Sequence, residues 1–132
     1  MRVSTIIAIL FVGGYIAFEL TAIHRNQYRL EPVFIFQEFV TADQAVQRCG
    51  DPDVSERENF LNNLAAVRAN ALADISMRSL EDDDASNSNE LAALRDAKII
   101  EVNEFIDVNG CDDQTVWRWV KLHEVRSRLR LR

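Results

Sequence analysis

Residues 3–23, VSTIIAILFVGGYIAFELTAI, form the one long apolar run of this chain and carry a single charge, Glu19. A run of that length reads as a hydrophobic helix that enters or crosses a membrane. Residues 3–18 hold no charge, and at about 1.5 Å per residue they make roughly 24 Å of helix. A bilayer core of about 30 Å wants about 20 residues. The span therefore needs residues 20–23 as well, with Glu19 turned toward the headgroups or a partner helix. A cleaved signal peptide is the competing reading. Arg2 supplies only a thin basic start, and a cut after Ala22 puts Leu20 where a small residue is needed. The expectation is an anchor that stays attached. Within it Gly13 and Ala17 lie four apart, a spacing that lets two helices approach closely in lipid, although such residues are common in membrane segments anyway. Flanking charge barely sets the orientation: Arg2 stands on one side, and Arg25 and Arg29, offset by Glu31, on the other.

The remaining length suits one small domain. The chain has 21 acidic and 15 basic residues, a net charge of −6. Their distribution is polarised: residues 51–113 carry a balance of −11 and residues 114–132 one of +5. An acidic body with a basic tail argues against general nucleic-acid binding. Cys49 and Cys111 are the only cysteines. In an exported domain they would form one bridge; in a cytoplasmic one they would be inert buried thiols. A metal site is not expected, because no CxxC pair exists and His24 and His123 are not arranged around either cysteine. The tie in orientation is broken in favour of the bridge, which places the domain on the periplasmic or extracellular side.

Along the chain, HRNQYRL (residues 24–30) is a polar stretch of the kind that meets headgroups. Pro32 disfavours helix at Glu31, and VFIFQEFV (residues 33–40) reads as a core-filling lead-in. Thr41 with Gln44 makes a capping-box start for a short helix over 42–49, stopped by Gly50. Ser55 with Glu58 is a second capping box. It opens a helix to about Ser79 with one stripe of Phe60, Leu61, Leu64, Val67, Ala71, Leu72 and Ile75, and with Asn63 off it. Residues 81–89, EDDDASNSN, read as an acidic loop, lacking the alternate oxygens and Gly turn of a calcium loop. Asn87 or Ser88 then caps a helix over 90–108 that faces inward through Leu91, Leu94, Ile99, Val102, Phe105 and Ile106, stopped at Asn109-Gly110. Asp112 or Asp113 caps a last helix to about Ser127, with Val116, Trp117, Val120 and Val125 inward. The terminal RSRLRLR alternates at period two and suits an extended or frayed tail.

No catalytic constellation stands out. His123 and Glu124 are neighbours and point to different sides of a helix, and a surface histidine is the plain reading. Trp117 and Trp119 cannot share a face, so one is core and one rim. The arginines at 126, 128, 130 and 132 are the best interaction candidates, for anionic headgroups, an acidic partner or this chain's own acidic body.

The expected fold is all-α: a single N-terminal transmembrane helix, then a small three- or four-helix bundle with one disulfide. The divisions are 1–24 anchor, 25–40 juxtamembrane lead-in, 41–127 helical domain and 128–132 basic tail. The expected role is that of a membrane-anchored, non-enzymatic accessory subunit of an envelope or membrane complex. Its partners would be membrane lipid and another protein, with no nucleic acid, cofactor or metal. The alternatives are a small hydrolase or binding protein acting on an envelope polymer, and a secreted helical protein after signal cleavage.

Overall fold

A computed structural model describes residues 31–79 and 83–131. The apolar stretch at residues 3–23, with Gly13 and Ala17, lies outside the described residues, as does Arg132. The described part is all-helical: α1 (Pro32–Cys49), α2 (Val54–Arg78), α3 (Asp84–Asn109) and α4 (Gln114–Ser127). Among the described residues no helix is long and apolar enough to cross a membrane.

The first helix is longer than expected. Residues 33–40 are not a lead-in but the first half of α1, which runs unbroken through Thr41. Pro32 opens it, where a missing N–H costs nothing. Glu31 before it stays extended, at ψ 132°. Thr41 caps nothing; its hydroxyl donates to the Gln37 carbonyl one turn back, at 3.0 Å. Gln44 reaches across to Asn103 on α3 at 2.8 Å. Gly50 ends the helix, and a Cβ there would come within 3.1 Å of the Val46 Cα.

The other three helices begin on aspartates. Asp53 accepts from the Glu56 N–H at 2.8 Å, Asp83 from Ala85 at 3.1 Å and Asp113 from Thr115 at 2.7 Å. Ser55 therefore sits inside the first turn of α2, and the acidic run leads into α3 six residues ahead of the expected start. Carboxylates at a helix start are favoured by the exposed N–H groups and the positive end of the dipole. Gly110, at φ +81°, supplies the left-handed residue after α3.

Cross-links between helices fix their directions. Glu31 pairs with Arg78, joining the start of α1 to the end of α2. Arg48 pairs with Asp107, joining the ends of α1 and α3. Glu38 pairs with Arg126, joining the early part of α1 to the end of α4. The chain therefore runs up, down, up and down, with α1 packed against all three others. The core runs through Phe36, Phe39, Val40, Phe60, Val67, Ile75 and Leu91. A second cluster of Val102, Ile106 and Val116 closes the far end beneath Cys49.

There the expected disulfide is present: Cys49 and Cys111 are bonded with Cα atoms 5.4 Å apart, 62 residues apart in sequence. It ties the last residue of α1 to the turn between α3 and α4. Closing a loop of that length is worth about 4 kcal/mol in the chain-entropy model. Replacing both cysteines with serine is therefore expected to lower unfolding stability by about 2–4 kcal/mol with the helices retained. Urea titration followed by circular dichroism, with and without reductant, measures it; an unchanged midpoint would mean the bridge holds nothing.

Candidate functional site

Of the C-terminal arginines, Arg126 is taken up by the body of the molecule. The Arg126 guanidinium is nearly covered, pairs with Glu38 and lies over the Phe39 ring at 4.4 Å. Burial pushes its pKa below the ordinary arginine value, and the Glu38 carboxylate opposes that shift; an arginine so placed stays charged. Arg128 reaches back one turn to Glu124. Arg130 meets no acid among the described residues. The chain after α4 is not frayed, because Asn63 holds it. The Asn63 amide nitrogen donates to the carbonyls of Arg126 and Leu129, each at 2.8 Å, and its oxygen accepts from the Leu131 N–H at 3.4 Å. Asn63 is thus buried and not off the core face. Position 63 stands three residues beyond Phe60 and four before Val67, which is the one sequence signal for it.

His123 is not a surface residue; it is fully buried. Its ring stacks on Phe60 with centroids 3.9 Å apart, and Phe60 in turn meets Phe39 at 5.3 Å. Nδ1 lies 2.8 Å from a Glu56 oxygen, while Nε2 has no partner. The last helix also turns other faces than expected. Trp117 is 61% exposed and Val125 50%, whereas Trp119 packs edge-on against Phe105 at 5.1 Å. His123 and Ser127 take the inward positions beside Val116.

Two of the surface concavities bear on function. A shallow one of about 250 Å³ lies where the α1–α2 turn meets α4, and gathers Asp51, Glu56 and Glu124 beside the exposed Trp117. The Glu124 carboxyl is held below the ordinary glutamate range by a hydrogen bond from Lys121, then by the charges of Lys121 and Arg128.

The larger is an open groove of about 690 Å³ between α2 and α3, floored by α1. It arises because the apolar positions of α2 form two neighbouring stripes rather than one. Phe60, Val67, Ala71 and Ile75 are buried, whereas Leu61 is 42% exposed and Leu64 and Leu72 are half-buried on the flank. From α3 the groove is lined by Leu91, Ala92, Arg95 and Ile99, and from α1 by Phe36 and Val40. Arg57 in its wall pairs with Asp43 at 2.6 Å. Arg68 and Arg95 have no acidic partner among the described residues. Nor does any group of three or more metal-ligating side chains occur among them.

Against models of known families, curated proteins and solved structures, the chain finds no match.

Asn63→Ala would strand the Leu129 carbonyl and the Leu131 N–H and leave the Arg126 carbonyl only the Leu129 N–H, at a cost of about 1–3 kcal/mol. Limited trypsin digestion is expected to cut after Arg128 and Arg130 several-fold faster in this variant than in the parent. Equal rates would mean that Asn63 does not hold the tail.

Proposed function

We propose that this chain is a membrane-anchored, non-enzymatic accessory subunit whose helical domain stands on the periplasmic or extracellular side. The observation that carries the reading is the Cys49–Cys111 bridge in a domain whose sequence also holds a 21-residue apolar run. Disulfides persist in oxidising compartments, and an apolar segment of that length suits a lipid span. The groove between α2 and α3 gives such a domain a surface on which a partner could dock.

The polymer-binding alternative draws on one observation, the depression that sets Trp117 beside Asp51, Glu56 and Glu124. An exposed indole next to carboxylates suits stacking on a sugar ring. Hydrolysis by a carboxylate pair needs one acid whose pKa is raised. The Glu124 pKa is instead lowered, first by the Lys121 hydrogen bond, and Glu56 is tied to His123. Within this alternative, binding fits the site better than cleavage.

A membrane-impermeant maleimide, applied to intact cells with and without reductant, tests the topology. Cys49 and Cys111 are expected to resist labelling until reductant is added, and then to label from outside. Free labelling of both from the cytoplasmic side alone would overturn the placement and the bridge together. A mature chain lighter by about 22 residues would overturn the anchor, since it would mean that the apolar run is a cleaved leader.

A further inference from the structure

The groove between α2 and α3 has a length, lips and a charge that together describe an occupant. Along α2 it runs from Arg57 to Leu72, about 22 Å of helix or four turns. Its lips are small and exposed at Ala65 and Ala69 on α2 and at Ala92 on α3, so a second backbone can lie close without a side chain being displaced. Its apolar surface comes from Leu61, Leu64 and Leu72 on one wall and Ile99 on the other, over a floor closed by the buried Phe36, Val40 and Leu91. That is the trough into which an amphipathic helix lays residues at i, i+4, i+7 and i+11.

Charge narrows the choice. The whole chain has a net charge of −6, yet the groove carries the reverse sign. Asp43 and Arg57 neutralise each other, which leaves Arg68 and Arg95 as uncompensated cations on opposite walls. A second copy docking through the same face would set these arginines against their equivalents, and like charges oppose that pairing. A lipid acyl chain would lie half in water, because the groove is open along its length and pockets that hold small apolar ligands bury most of their surface. We propose that the groove receives an amphipathic helix of a protein partner, one whose apolar stripe is flanked by aspartate or glutamate. The proposal rests on the accessory-subunit reading and names the surface and the partner's chemistry.

The test uses the full chain in its native membranes. A photo-crosslinking benzoyl-phenylalanine is placed at Ala69 or Ala92, one on each wall, and at Trp117 on α4 as a position outside the groove. The crosslinked peptides are read by mass spectrometry. Positions 69 and 92 are expected to capture one helix-forming peptide with acidic flanks from another protein, and position 117 is expected not to capture it. In parallel, the double charge reversal Arg68→Glu with Arg95→Glu is expected to reduce co-purified partner tenfold or more. Arg118→Glu, another exposed cation, should change it less than twofold. All these side chains are exposed, and unchanged circular-dichroism melts verify that the variants fold. Crosslinks from 69 and 92 to lipid, to residues 1–30 of the same chain or to a second copy would overturn the proposal. So would a partner retained equally by the double reversal. If a protein partner co-purifies but crosslinks only through position 117, the groove assignment alone fails. If no protein co-purifies, the accessory-subunit reading fails with it.

Discussion

The architecture follows from the burial of α1. Its buried positions, Phe36, Phe39, Val40, Ala42, Ala45 and Val46, are spread around most of the helix circumference at 100° per residue. A helix apolar on so many sides cannot lie on a surface. It has to be surrounded, and three further helices are what the chain provides. Small residues serve the interior as well, since Ala42, Ala45 and Ala71 are all fully buried. The disulfide then fastens the end of this central helix to the turn that feeds α4, so the short last helix is docked at its base by a covalent link and along its length by contacts.

The polar interior is built on one line of side chains that crosses three helices. Arg126 lies over Phe39, Phe39 meets Phe60, Phe60 stacks on His123, and His123 bonds to Glu56. Each end of the line carries a charge, met by a carboxylate at Glu38 or by the imidazole. A buried guanidinium without Glu38 would be costly, because desolvation of a charge exceeds what packing on a ring returns. The same line explains why Arg126 is not part of a free tail. Arg126 completes the core, and Asn63 satisfies the main-chain groups that follow it.

Much of this was legible in the sequence. The bridge between Cys49 and Cys111 followed from a cysteine count and from two helix ends. The stops at Gly50 and Gly110 followed from glycine's place at helix termini, and most inward positions of α2 and α3 from period. What was lost has physical causes. Apolar residues stand at successive positions in 33–40 and Phe34 stays half exposed, so this stretch carries no clear period to read, and Phe34, Phe36 and Phe39 suit a strand equally well. The Ser55 capping box lost to Asp53, which lies nearer the turn, and the Thr41 box fell inside a helix that already starts at Pro32. Buried polar residues are invisible to a hydrophobic pattern: Asn63 and His123 look like surface residues until their partners 60 or more positions away are known. On α4 that omission rotated the inferred face, which exchanged the roles of Trp117 and Trp119.

The groove is a consequence of the same economy of helices. With α4 only 14 residues long and packed on the α1–α2 side, the side between α2 and α3 has no fourth cover. The sequence compensates only in part. Apolar positions there are mixed with alanine and arginine, which keep the face wettable while leaving Leu61 and Ile99 within reach of a partner. A surface meant only for solvent in this chain would be acidic, as residues 51–113 are elsewhere. Arginine at 68 and 95 departs from that pattern on the two walls of the trough. An arginine pair without acids nearby adds nothing to the stability of an isolated domain. Under the docking proposal, its electrostatic value comes from the carboxylates of the partner helix.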